Sequence, residues 1–402
     1  MRHLKKALTF AVAASVLTAA APAIAQDAKI GMLMDLTGPI ESLAPPILAG
    51  AELAVTHVND QGGILGGQTL ESVVADSACD ATMASSAADR LVNTEQATAI
   101  VGGLCSGATI GGANSAAIPG NVVMISPAST AGALTTLDDN DLVFRTTPSD
   151  AFQGIKLADL LIAKGIDEVA VTYLNNDYGS GLASDFTARY EELGGTIAIS
   201  LAHEEGRADY RADLGSLAAS GAMDLLIIAY ASGSGQTILR QAVESGDFTS
   251  FIGADGMVGD DLFVGIDASA VEGMFATRAG SFEGESTQVF VELATEAGIA
   301  PDAVYAAQAY DAAFLLALAI EKNGSADRDG LSAALREVAS APGETIYPGE
   351  WEKAVELIAA GEDINYVGAS GDHEFDENGD VEGVIVEYVV QGGTFVEVGP
   401  IE

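Results

Sequence analysis

What most constrains this chain is an alternation. Short apolar runs at Lys29–Met34, Thr69–Ala75, Ala99–Val101 and Val122–Ser126 are separated by stretches of helical spacing at Ile47–Asn59, Ala84–Asn93 and Ala108–Ala117. Strand, helix and strand joined by short loops require parallel neighbours, and a parallel sheet buries both faces under helices. A second series follows, with strands at Val169–Leu174, Thr196–Leu201, Leu225–Ala229 and Phe251–Gly253 and helices at Ser180–Leu193, Tyr210–Ala219 and Gln236–Glu244. Between the two, Arg145-Thr146-Thr147-Pro148-Ser149-Asp150 breaks the pattern and reads as a crossing. Gly273–Ala279 reads as the return, because long helical stretches at 286–297 and 303–322 follow it. A helical segment then reaches Val338, a less regular insert carries Trp351 as far as Gly361, and two strands around a Gly-Gly turn close the chain. A length of 402 residues exceeds what one core usually organises. The expected fold is therefore α/β, with two doubly wound, Rossmann-like lobes joined by a three-crossing hinge. The lobe boundaries expected are 26–146 with 277–382, and 147–276 with 383–402.

Residues 1–25 form a separate object. Arg2, Lys5 and Lys6 precede the apolar run 7–20, and Ala23-Ile24-Ala25 is a small-x-small cleavage signal. The run is too short to span a bilayer, so we read a secretory peptide cut before Gln26. Its loss takes three of the 17 Lys and Arg and none of the 58 acids, moving the net charge from −41 to −44. Such a charge argues against nucleic acid and anionic lipid as partners, since both need cationic surface. Most of the excess fits a solvated acidic surface suited to salt. The two cysteines, Cys79 and Cys105, both lie in the exported part, where a disulfide is the default reading. Closing that loop would stabilise the fold by roughly 3.5 kcal/mol in the chain-entropy model. The histidines are scattered without ligand spacing, so no metal is expected, and no cofactor either.

Ligands of doubly wound sheets sit at the carboxyl ends of strands. Two such ends in the first series are Gly102-Gly103-Leu104-Cys105-Ser106 and Ser126-Pro127-Ala128-Ser129-Thr130. Amides opening a helix, together with the Ser106 hydroxyl, suit a carboxylate. The second series offers Tyr178, Tyr230 and Asp255 at equivalent ends. No Gly-x-Gly-x-x-Gly follows the first strand and no Walker sequence occurs, which argues against a nucleotide enzyme. Ser106 has no histidine near it in sequence, leaving a secreted hydrolase as a remote alternative.

Several short motifs occur in order along the mature chain. They are Thr37-Gly38-Pro39, Gly50-Ala51-Glu52, Asn59-Asp60-Gln61-Gly62-Gly63-Ile64, Asp76 to Asp80 with Cys79, Leu104-Cys105-Ser106, Ser126 to Thr130, Asp177-Tyr178-Gly179 and Leu239-Arg240-Gln241-Ala242. Together they resemble the periplasmic leucine/isoleucine/valine-binding family of ABC importer substrate-binding proteins, which has the type I periplasmic binding fold. The resemblance implies that Ser106 and Thr130 hold the α-carboxylate of an amino acid and that the Ala128 carbonyl accepts from its ammonium. It also implies that Tyr178 closes over the ligand, that Asp255 pairs with the ammonium, that Leu104 walls the side-chain pocket and that Cys79 bridges Cys105. The partners so implied are an amino acid, an inner-membrane permease and its ATPases, with the protein itself a non-catalytic monomer of the periplasm. Ser42-Leu43-Ala44-Pro45-Pro46 and the stretch around Tyr230, Ala229 to Ser234, depart from the family pattern. Both lie near the side-chain pocket, so the cargo could instead be another small polar or amide compound.

Overall fold

The computed structural model describes residues 28–402. The expected secretory peptide lies outside them. Strands β1 (Lys29–Met34), β2 (Glu71–Asp76), β3 (Ala99–Gly102), β4 (Val123–Ser126) and β5 (Val143–Arg145) form one all-parallel sheet in the order β2-β1-β3-β4-β5. A second sheet contains β6 (Glu168–Leu174), β7 (Thr196–His203), β8 (Asp224–Ile228), β9 (Ser250–Gly253) and β10 (Phe275–Ala279). A small parallel pair, β11 (Glu344–Ile346) and β12 (Ile364–Tyr366), stands apart. The terminal hairpin, β13 (Ile385–Gln391) and β14 (Thr394–Pro400), completes the second sheet in the order β14-β13-β10-β9-β8-β6-β7. The central strands of both sheets are almost wholly buried, as expected of parallel sheets covered on both faces.

The elements begin and end where local chemistry says they should. Asp80 accepts from the amides of Thr82 and Met83 and opens the helix Ala81–Asp89, while Asn176 accepts from Gly179 and opens Asp177–Glu192. Left-handed glycines at 246, 324 and 361 close three helices. The first crossing follows β5 at Arg145, the second leaves the second sheet after Ala279, and the third returns to it before Ile385. The expected return at 277 falls inside β10, which pairs with β9 and β13 as far as Ala279.

Three local readings are corrected. Val143–Arg145 is a strand paired with β4, so the crossing starts one residue later than read, after Arg145. Asp150–Ala163, left without an element by the sequence reading, is a helix opened by the Ser149 side chain. The insert around Trp351 is regular: Trp351–Ala360 is a helix whose indole is fully buried and donates to the Gly63 carbonyl at 2.9 Å. It packs on the helices Ala44–Asp60 and Ala306–Asn323 through the buried Trp351 and Ala354.

Among the described side chains only four acids are buried: Asp35, Asp150, Asp255 and Asp311. The remaining carboxylates lie at or near the surface, where mutual repulsion falls as salt shortens its range to about 3 Å near 1 M. Thermal melts from 0.05 to about 1 M sodium chloride should accordingly show a midpoint that climbs with salt. A flat or falling midpoint would show that the surface charge is not a destabilising term.

Candidate functional site

The donor loops of the first sheet are held by their own side chains. Gly102 has φ of +116°, and a Cβ there would collide with the Leu33 carbonyl, so only glycine turns the chain at the end of β3. Ser106 opens a helix that runs to Gly112 and continues as a wider π turn to Ala117, two residues earlier than the sequence reading placed its start. Its Oγ accepts from the Ala131 amide at 3.2 Å. Ser126 donates to the Gly103 carbonyl at 2.6 Å, Ser129 donates to that of Leu104 at 3.0 Å, and Ser129 shares a 2.5 Å contact with Thr109. The loops after β3 and β4 are thereby stitched into one surface. The disulfide between Cys79 and Cys105, with Cα atoms 5.3 Å apart, anchors it to the loop after β2.

The facing surface comes from the second sheet. Tyr178, near the start of its helix, donates to Asp255 Oδ1 at 2.7 Å and accepts from the Gly256 amide at 3.2 Å. Its ring stacks on Tyr230 with centroids 5.2 Å apart. Gly256 is required there because a Cβ would press on both the Ala229 carbonyl and the Tyr178 hydroxyl. The other oxygen of Asp255 accepts from Tyr305 at 2.9 Å. Tyr305 precedes the long helix Ala306–Asn323 and holds φ of +57°, a conformation that costs a non-glycine residue energy. Burial raises the Asp255 carboxyl above its ordinary range, and the two phenol hydrogen bonds pull it back toward ionisation. Burial and the charge of Asp255 push all three phenols, Tyr178, Tyr230 and Tyr305, well up, so they remain donors.

Between the surfaces lies a narrow cavity. All seven residues expected at the site line it: Leu104, Ser106, Ala128, Thr130, Tyr178, Tyr230 and Asp255. Ile40, Leu43 and Ile47 add an aliphatic wall; Leu43 belongs to the segment Ser42–Pro46 that departs from the family pattern, and the other two flank it. Ser42 and Ser232 touch at 2.5 Å, joining the loop after β1 to the loop after β8. Sequence reasoning missed Tyr305, whose signal was an aromatic where a helix would ordinarily carry a polar cap. It also missed Asp150, fully buried, whose amide donates to the Thr130 carbonyl at 2.7 Å. Burial, and next the charge of Asp255, raise the Asp150 carboxyl well above the ordinary range, with the Thr130 hydroxyl and the Arg145 charge opposing the rise.

No described histidine lines this cavity. His57 bonds to Tyr310, His203 to Thr172 and Ser234, and His373 faces Asp311. The acidic run Asp372 to Asp380 is a connecting turn, with Asp376 accepting from the amides of Asn378 and Asp380.

The model of the periplasmic binding protein family matches residues 27–351. A leucine-, isoleucine-, valine-, threonine- and alanine-binding protein of Pseudomonas aeruginosa is 30% identical over 310 residues, 77% of this chain and 82% of that protein. A leucine-binding protein of Thermotoga maritima superposes with a TM-score of 0.79 at 27% identity, covering 93% of this chain and 99% of the other. A solute-binding protein from R. palustris, solved with benzoate, shares the fold with a TM-score of 0.74 at 18% identity, covering 94% and 96%. A match over most of the chain, with two sheets facing one cavity across three crossings, makes this chain a member of the periplasmic binding protein family.

Proposed function

We propose that the cavity captures an α-amino acid with a branched or otherwise aliphatic side chain, and that the chain is the exported receptor of an ABC importer. The observation that carries this reading is the division of chemistry across one cavity. Neutral donors from Ser106 and Thr130 stand on one side, the buried Asp255 stands on the other, and Ile40, Leu43, Ile47 and Leu104 form the wall. A zwitterion answers both ends. Its carboxylate takes the hydroxyls and amides, its ammonium neutralises Asp255 and donates to the Ala128 carbonyl, and its side chain displaces water from the wall. Benzoate, the ligand of one fold neighbour, has no cation for Asp255 and would leave that acid buried without a counter-charge.

Because donors and acid come from different sheets, a bound zwitterion bridges the two lobes, the change-over between them lying after Ala279 rather than at 277. Bridging favours the closed arrangement by the difference in affinity between open and closed forms. Tyr178 covers the ligand, with Tyr230 stacked behind it. The closed receptor then docks, as a periplasmic monomer, on an inner-membrane permease served by ATPases. Its role in this reading is to bind and deliver its ligand, as the substrate-binding family it belongs to does.

Calorimetry against L-leucine, L-isoleucine, L-valine, benzoate and a small amide tests the reading. Saturable binding of the aliphatic amino acids, with benzoate much weaker, is the expected result. Ser106→Ala should weaken leucine binding at least about tenfold, the worth of one charge-assisted hydrogen bond, without lowering the unfolding midpoint appreciably. Tight benzoate binding, or unchanged leucine affinity in the Ser106 variant, would reject this site assignment.

A further inference from the structure

Asp35 has no part in the reading above, yet it lies beneath the donor turn. It follows β1, is fully buried, and four groups donate to its carboxylate. Oδ2 accepts from the amides of Leu104 at 3.2 Å and Cys105 at 2.7 Å. Oδ1 accepts from the Cys79 amide at 2.9 Å and from the Ser77 hydroxyl. One side chain therefore holds the chain at both disulfide cysteines, and the turn it holds is the one that presents Ser106.

Burial pushes the Asp35 carboxyl up to about 6, with the charge of Asp76 adding to the rise and the amides of Cys105, Cys79 and Leu104 opposing it. On the cleft side the Tyr230 phenol senses its charge. No cation is among the groups that shift it. Ser77 makes titration in place possible, because its Oγ also reaches the Met34 carbonyl at 3.2 Å. An ionised Asp35 accepts a hydrogen bond from the Ser77 hydroxyl. A neutral Asp35 donates its own proton to Ser77 Oγ, and Ser77 turns its hydroxyl to Met34. Neither state leaves a buried oxygen unpaired, so the turn need not open for the proton to come or go.

We propose that Asp35 is a positioning residue that makes capture proton-linked: it holds the Ser106 turn in both protonation states, and a carboxylate bound on that turn draws a proton from solvent onto Asp35. The proposal rests on the placement of the ligand carboxylate at Ser106 given above. The physical cause is repulsion between two anions on either side of one turn, at low effective dielectric. The only bond formed is that between the proton and Asp35 Oδ1. A carboxamide ligand, which carries no charge at that end, should draw no such proton.

The test is calorimetry of L-leucine at pH 6.3 in two buffers of different ionisation enthalpy, with wild type and Asp35→Asn, to count protons taken up per ligand. Protons released by Asp255 on meeting the ammonium occur in both proteins and cancel in the difference. Wild type should take up about 0.3 proton more than the variant, corresponding to an upward move of about 0.6 pH unit in the Asp35 midpoint, and the difference should vanish by pH 8. Should the variant fail to fold, carboxyl carbon NMR of the wild type reads the same quantity: an Asp35 midpoint near 6 that rises when leucine is added. Equal proton counts, or an Asp35 midpoint unmoved by bound leucine, overturn this proposal while leaving the proposed function intact. Absence of leucine binding at any pH removes both, and is distinguished by an Asp35 midpoint that still lies near 6 in the free protein.

Discussion

Asp255→Asn should weaken leucine binding by about 10²- to 10³-fold, the cost expected when one partner of a desolvated charge pair is removed. The substitution keeps the shape and an oxygen for one of the two phenols, Tyr178 or Tyr305, and removes the charge together with the other phenol's acceptor. The free protein should keep its unfolding midpoint within a few degrees, because relief from burying the Asp255 charge near Asp150 offsets the hydrogen bond lost to one phenol. The pH dependence follows in sign. The Asp255 carboxyl is raised above its ordinary range, so acidification protonates it earlier than a surface aspartate, and affinity for an ammonium ligand falls as pH drops through that raised value. Calorimetric titration of wild type and variant from pH 5 to 8 checks both statements. Full affinity in the variant would place the ammonium elsewhere.

Arg145→Ala should cost about 3–5 kcal/mol of stability, the range for removing one partner of a buried, fully hydrogen-bonded pair. All five N–H groups of this guanidinium are used. Nε donates to Asp380 Oδ1 at 2.6 Å and NH2 to Oδ2 at 2.7 Å, a two-pronged grip on the segment that leads into the third crossing. NH1 donates to the carbonyls of Thr130 at 2.9 Å and Ala131 at 3.1 Å, and NH2 also reaches Thr135 at 2.7 Å. Arg145 ends β5 at the first crossing, so one side chain ties two crossings and the Thr130 loop together. Arg145→Lys should recover little, since an ammonium cannot reproduce the planar fork. Urea unfolding followed by fluorescence measures the loss. A cost under about 1 kcal/mol would show that Asp380 and the freed carbonyls are satisfied by water instead.

The site was partly legible because its parts are local. Ser106 follows a strand and a glycine pair, Asp255 follows another strand, and strand ends are where such sheets present ligands. The residues that escaped notice owe their place to distant neighbours. Tyr305 reaches Asp255 across 50 positions, and Asp35 reaches Leu104 across 69. The aromatic at the helix cap marks Tyr305 as unusual, but nothing local to either residue says which distant group it meets. Ile40, Leu43 and Ile47 lie in or beside the stretch Ser42–Pro46 that departs from the family pattern, so their common wall emerges only when the helix starting at Ala44 packs beside the loop after β3. The helix Asp150–Ala163 and the ordered insert at Trp351 fall in the same class, being stabilised by what they cover.

By itself the sequence determined the alternation of strand and helix, hence parallel sheets, and hence which ends of which strands carry loops able to bind, because those properties follow from residue periodicity over a few positions. Only the tertiary structure decided which of those loops face one another and which of the 58 acids lose their water. Desolvation depends on atoms brought from remote parts of the chain, and it is desolvation that separates Asp35, Asp150 and Asp255 from the many carboxylates left in solvent.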